Sequence, residues 1–207
     1  MSIPVIGVPV VNSTFWVSRL LMSIDYPVDE LFIVNNNGRG ELDEELTKLA
    51  SFKHKYVKSI KVANLPGNLG VSGAWNLIIK CYLMAPYWII CNDDVSFGPG
   101  FLEEMVKTAE SDPMIGMIHG NKGDFGVGSW DVFFVRESII RQFGLFDEKL
   151  VRNQDDDLCQ RICSQGGLIF QDPSIISYYY PRSSLIKLFH QYFLILFQQR
   201  KKEIFQM

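Results

Sequence analysis

The chain carries no excess of charge of either sign: 20 Lys and Arg stand against 23 Asp and Glu over 207 residues. No global field draws it to nucleic acid, so a phosphate would have to be held at a local site. It has no long hydrophobic run; the longest late apolar stretch, residues 192–197, is far short of the roughly 20 residues that a bilayer span requires. Its four cysteines, Cys81, Cys91, Cys159 and Cys163, include no pair at the two-residue spacing of structural zinc sites. Cys159 and Cys163 sit one helical turn apart, as two side chains on one helix face, and all four read as free thiols of a reducing compartment. The first residues lack the basic start and small-residue cleavage site of a secretory leader, and Pro4 and Pro9 interrupt them, so they read as a buried strand of a cytoplasmic protein. Neither the G-x-G-x-x-G nor the G-x-x-x-x-G-K-[ST] pattern occurs, which disfavours a dinucleotide enzyme and a P-loop ATPase. There is no internal repeat, low-complexity tract or linker.

What is present is a 47% hydrophobic chain, long enough to bury roughly 70% of its unfolded surface around one core. Short apolar runs at residues 5–11, 31–34, 57–62, 87–91, 115–118, 132–135 and 168–170 alternate with stretches of helical period at 15–24, 42–52, 72–84, 100–111, 137–143 and 157–165. That alternation predicts an α/β fold, a mixed, mostly parallel sheet flanked by helices in a single domain. The tail over 183–205 has helical pattern but is apolar over most of its circumference before its basic end at 200–202. Such a helix must bury two faces, against the core, a partner or a further domain, or lie in a membrane surface. The expected division is one α/β domain over 1–182 and this helix over 183–207.

In an open α/β sheet, ligands bind beyond the carboxyl ends of the strands. Three predicted strands end in polar turns: Asn35-Asn36-Asn37-Gly38, the segment from Asn64 to Gly70, and Asn92-Asp93-Asp94. The last closes a strand containing Trp88, Ile89 and Ile90, so two adjacent carboxylates meet where desolvation begins, an arrangement that a hard divalent cation would offset. The Asn-rich turn suits either a nucleobase edge or a tight turn. The glycines at 67 and 70 and the helix start behind them permit close approach of an anion. A second acidic cluster, Asp155-Asp156-Asp157, opens a helix; the helix dipole accounts for one or two acids there, and a third leaves room for a general base.

Together these segments resemble the nucleotide-sugar glycosyltransferases of the GT-A fold, most closely family 2, to about Pro173. The matching pieces are Pro9-Val10-Val11-Asn12, Asn68-Leu69-Gly70 with Ala74 and Asn76, and residues 87–94 as the strand into the D-x-D-type site. They continue with residues 97–102, 143–148 and Gln154-Asp155-Asp156-Asp157-Leu158-Cys159-Gln160-Arg161. The resemblance implies transfer of a sugar from a nucleoside diphosphate sugar, UDP-linked by preference, to a hydroxyl of a glycan or glycoprotein acceptor, with Mn²⁺ or Mg²⁺. By position it makes Asp94 the metal ligand, with Asp93 beside it. Pro9, Val11, Asn12, Asn37, Asn68, Gly70, Asn76, Asn92 and Asp93 would then bind the donor. Asp155 would be the base of an inverting reaction, with Asp156 next to it; a retaining reaction would use Asp131 or one of Asp155 to Asp157 on the other face of the donor.

The chain departs from that pattern where Asn92 replaces the first acid, where Asn36-Asn37 replaces an Asp that reads uracil, and where Gln154 replaces Glu. The metal-ligating His that often follows the second acidic motif is replaced by Tyr178-Tyr179-Tyr180-Pro181, and His190 reads as a packed or surface residue. The chain also looks like glycosyltransferase domains that large DNA viruses use on their own capsid proteins, which would put it in a host cytoplasm. The contrasting expectation is a catalytically silent nucleotide-sugar or glycan-binding module of the same fold. The loop over 121–130, with Trp130 and Asp131, is the expected contact for sugars.

Overall fold

The computed structural model describes residues 2–122 and 128–179. The expected tail helix over 183–205, His190 and the middle of the 121–130 loop lie outside the described residues. The elements follow the predicted alternation: β1 (Ile3–Val10), α1 (Thr14–Met22), β2 (Val28–Asn35), α2 (Asp43–Ala50), β3 (Val57–Asn64), α3 (Gly70–Cys81) and β4 (Tyr87–Cys91). After these come β5 (Val95–Phe97), α4 (Phe101–Ser111), β6 (Ile115–Lys122), β7 (Gly128–Arg136), α5 (Glu137–Phe143), α6 (Gln154–Ser164) and β8 (Leu168–Tyr179). Among the described residues no helix is long and apolar enough to cross a membrane.

All eight strands form one sheet in the order β3-β2-β1-β4-β7-β6-β8-β5. β3, β2, β1 and β4 pair in parallel; β7 runs against both β4 and β6, β6 is parallel to β8, and β5 opposes β8. Only β7 and β5 therefore oppose the common direction, and the sheet is mixed and mostly parallel, as expected.

The period-2 alternation of the strands divides the core into two layers. On β4, Tyr87, Ile89 and Cys91 join Val17 and Leu20 of α1, Leu46 of α2 and Leu102 of α4 on one face. Trp88 and Ile90 join Trp75 and Ile78 of α3, Ile139 of α5 and Leu158 and Ile162 of α6 on the other. Helices thus cover both faces, which is why these strands are apolar on both sides.

Local chemistry sets the helix starts. Ser13 caps α1 by accepting from Phe15 N–H at 3.1 Å; α2 carries Asp43, Glu44 and Glu45 in its first turn, which the helix dipole favours. Gly7 lets β1 and α3 approach: a Cβ there would come within 2.3 Å of Ile78 Cγ2.

The short link from β4 to β5 shapes the site. Four residue steps from Cys91 to Val95 span at most about 14 Å, while four strand spacings of a flat sheet cover about 19 Å. The sheet therefore curls at its β8–β5 end, bringing β5 back toward the carboxyl end of β4.

Candidate functional site

The order 3-2-1-4 of the parallel half puts the carboxyl ends of β1, β2, β3 and β4 on one edge, with a reversal of winding between β1 and β4. A crevice opens at such a reversal. The polar turns singled out in the sequence all sit on this edge, and their side chains join the strand ends to one another.

Asn36, 2% exposed, follows β2, and its backbone N–H donates to Val10 O at 2.8 Å. Its side-chain amide donates to Asn68 Oδ1 at 3.2 Å and Gly70 O at 3.1 Å, and its Oδ1 accepts from Leu69 N–H at 2.7 Å. Asn68 Oδ1 also accepts from Gly70 N–H at 2.7 Å. Asn37 donates to Val11 O at 2.8 Å, and its Oδ1 accepts from Arg39 N–H at 3.0 Å. Gly38, at φ +70°, has Gly67 Cα only 2.7 Å from where a Cβ would lie, so no other residue fits between these two loops.

The expected donor contacts Asn37 and Asn68 thus have amides engaged in holding loops together, while Asn12, Asn68 and Gly70 remain exposed and Pro9 and Val11 half-buried along the rim. Asn36 is the residue that the sequence reading undervalued. The run of three asparagines was the available signal, but that Asn35 and Asn36 turn inward depends on where β2 ends.

Asn76 lies deeper than the other residues expected at the donor. It is 1% exposed on α3, donates to Phe146 O at 2.9 Å and Glu148 Oε1 at 2.8 Å, and accepts from Phe146 N–H at 3.0 Å. Its amide fixes the 144–148 loop and is not on the rim. The bond from Asn76 draws the Glu148 carboxyl below its ordinary value, with Lys80 adding to it.

Asp93 and Asp94 close β4, buried at 2% and 6% exposure. Burial, then the charges of Asp93 and Asp94, push the Cys91 thiol well above its ordinary value, which marks both carboxylates as close neighbours of the strand end. Asn92 donates through Nδ2 to Asp131 Oδ1 at 3.1 Å, and its backbone N–H donates to Asp131 O at 2.8 Å. An acid at 92 would set two carboxylates against each other, a physical reason for the amide there. Asp131 lies half-buried at the start of the β7 pairing with β4.

In α6 the three acids separate. The helix begins at Gln154, three residues earlier than predicted, because Asn153 enters it in the left-handed conformation at φ 60°. All three aspartates therefore lie in its first turn. Asp157 pairs with Arg161 at 2.8 Å, and Arg161 also donates to Leu145 O at 2.9 Å and to Phe143 O, so this pair ties α6 to the end of α5. Asp155 is half-buried and Asp156 exposed. Gln154 is buried and donates Nε2–H to Leu150 O at 3.2 Å, a bond that a carboxylate could not make.

His119 was not anticipated. It lies buried on β6 opposite Phe133, two residues along β7 from Asp131, and burial lowers its imidazole below the ordinary value. Its position directly after the apolar run 115–118 was its only signal.

Among the described residues, no three His, Cys, Asp or Glu side chains gather round one point. The chain offers Asp93 and Asp94, two adjacent buried carboxylates. That fits a hard divalent ion of the Mg²⁺ or Mn²⁺ kind, which takes one or two carboxylates and completes its shell with water and substrate phosphates.

A doubly covered, mostly parallel sheet with paired carboxylates at the switch-point edge defines a GT-A, Rossmann-like architecture. The chain belongs to glycosyl transferase family 2, whose model matches residues 9–170. Among solved structures it is similar to the mannosyltransferase PcManGT from Pyrobaculum calidifontis in complex with GDP-Man and Mn²⁺, with a TM-score of 0.71 at 15% identity, covering 87% of this chain and 57% of that one. It is likewise similar to S. aureus TarS 1-349 in complex with UDP-GlcNAc, with a TM-score of 0.71 at 14% identity over 89% and 60% of the two chains. These likenesses concern the fold, and the chain spans less than two thirds of the length of either. Comparison with curated proteins gives no match.

Proposed function

We propose that the chain transfers a sugar from a nucleoside diphosphate sugar, UDP-linked by preference, to a hydroxyl of a glycan or glycoprotein, with Mn²⁺ or Mg²⁺ bound at Asp94 and Asp93. The observation that carries this is the burial of two adjacent carboxylates at the carboxyl end of β4, on the edge where Asn36 locks the loops after β2 and β3 together. A divalent cation there would supply positive charge against the departing diphosphate. GDP-Man with Mn²⁺ and UDP-GlcNAc in the two similar structures support a nucleotide-sugar donor.

Asp155 is the base in this reading, because Asp157 is engaged by Arg161 and Asp156 is exposed, whereas Asp155 is half-buried. The acceptor oxygen bonds to the anomeric carbon as the carbon–oxygen bond to the diphosphate breaks; the electron pair leaves with the diphosphate and the acceptor proton passes to Asp155. The outcome is inversion. Asp131, positioned by Asn92, faces the site from β7 and takes part in orienting donor or acceptor.

The test is thermal unfolding with UDP, GDP, CMP and dTDP, each with and without Mn²⁺. A diphosphate at about 100 times its Kd stabilises by ~2.7 kcal/mol, or roughly 5–10 °C for a chain of this size. A uridine or thymidine diphosphate shift that requires Mn²⁺ and vanishes in Asp94→Ala is expected; a shift unchanged in that variant refutes the metal assignment. Asp155→Asn should keep the shift and lose about 10²–10⁴-fold in turnover. Normal binding without turnover by the unaltered chain, across donors and acceptors, would identify a silent binding module instead.

A further inference from the structure

At the opposite, amino-terminal end of the parallel strands lies a cleft of about 640 Å³, between the end of α2 and the first residues of β2 and β3. The segment that walls it alternates rings and cations: Phe52, His54 and Tyr56 interleave with Lys53 and Lys55, and Lys58 follows on β3. The rings form a row, with centroids 6.4 Å apart from Phe52 to His54 and 6.2 Å from His54 to Tyr56. Phe52 is 46% exposed, which leaves its ring open to a ligand on the cleft wall.

The row is held in place. Tyr56 O accepts from Val28 N–H at 2.8 Å, anchoring the segment to β2, and Tyr56 N–H donates to His54 Nδ1 at 3.2 Å, so the neutral ring carries its proton on Nε2. Lys55 lies over the Tyr56 ring at 4.7 Å. Lys53, Lys55 and Lys58 are exposed, and none has an ion pair among the described residues. The lining acid is Asp29, which accepts from Ser2 Oγ at 3.0 Å. Three cations against one acid give the cleft a positive balance on a chain whose net charge is -3.

From this combination we infer that the cleft is a binding site for an acidic oligosaccharide, with pyranose C–H faces packed on Phe52 and His54 at the open end of the row and carboxylates met by Lys53, Lys55 and Lys58. The choice of a glycan over other polyanions rests on the glycosyltransferase reading. The eight residues of β2 place the cleft about 24 Å from the catalytic edge, too far for a short acceptor to touch both. A long acidic polymer held here would raise its own effective concentration at the catalytic edge without any new catalytic contact.

Calorimetric titration of the full chain with hexagalacturonate, cellohexaose, oligo-dT and polyglutamate tests this. The hexagalacturonate is expected to bind, more weakly at high salt, while neutral cellohexaose is bound at least about tenfold more weakly. The double variant K53A/K58A should weaken the hexagalacturonate about tenfold. F52A, which leaves every lysine in place, should weaken it about fivefold. Hexagalacturonate binding that matches cellohexaose, that survives K53A/K58A, or that is unchanged in F52A overturns the proposal, as does equally tight oligo-dT or polyglutamate binding lost in the same variants. The UDP-induced thermal shift is read in parallel: its retention in these variants separates the cleft from the donor site, and its absence alongside intact hexagalacturonate binding would remove the donor reading while leaving the cleft in place.

Discussion

Asn92 and Asp131 are joined twice across the β4–β7 pairing, by backbone N–H to O at 2.8 Å and by side-chain amide to carboxylate at 3.1 Å. The amide holds the acid that flanks the paired carboxylates from the antiparallel side. Asn92→Ala is expected to cost about 1 kcal/mol in urea unfolding. Asn92→Asp should cost more at neutral pH, because two carboxylates then face each other; that repulsion raises the pKa of the pair, so the excess cost fades as pH falls through the carboxylate range. An excess cost independent of pH would refute the like-charge account.

Asn76 predicts a coupled result. Asn76→Ala leaves both Phe146 backbone groups without their partner in a buried place, and should destabilise by about 2–4 kcal/mol. The same variant should return the Glu148 carboxyl upward toward its ordinary value, since the Asn76 bond is the first cause of its lowering. An NMR titration of Glu148 reads the second effect independently of the first.

At Gly7 the constraint is steric. A Cβ 2.3 Å from Ile78 Cγ2 forces β1 and α3 apart, so Gly7→Ala should cost about 1–3 kcal/mol. Combined with Ile78→Ala, which removes Cγ2 and the other two atoms that a Cβ would meet, the loss in urea unfolding should be smaller than the sum of the two single losses, because the changes share one contact.

Tyr87 gives a stabilising prediction. Its hydroxyl is buried with no hydrogen-bond partner among the described residues, and burial, with Glu110 next, pushes its pKa from 10.0 to about 12. Tyr87→Phe should therefore hold or gain up to about 1 kcal/mol at pH 7. In the unaltered chain the phenol stays neutral when folded but ionises near 10 when unfolded, so its share of stability is whole below pH 10 and is lost as pH rises toward 12. The variant should lose less over that window, measured by urea unfolding at each pH.

Much of the fold was legible because strands and helices carry their own periods. β4 spans the predicted residues 87–91, and α5 the predicted 137–143. β5 was missed: three residues directly after a turn carry no period, and their pairing is decided by Ser177 to Tyr179 of β8, far along the chain. The start of α6 was placed late because a left-handed Asn153 is not distinguishable in sequence from any other loop asparagine.

For the site, the sequence alone determined the chemistry at each strand end: carboxylates after β4, amides after β2 and β3, acids opening α6. Local composition and period are sufficient for that. Tertiary structure decided which of those groups face the crevice and which serve the scaffold. Asn76 is buried against Phe146, Asp157 is held by Arg161, and Asn36 locks the loops after β2 and β3. Those assignments depend on which hydrogen-bonding partner the fold brings within about 3 Å, and partners such as Asn76 and Phe146 lie on elements far apart along the chain.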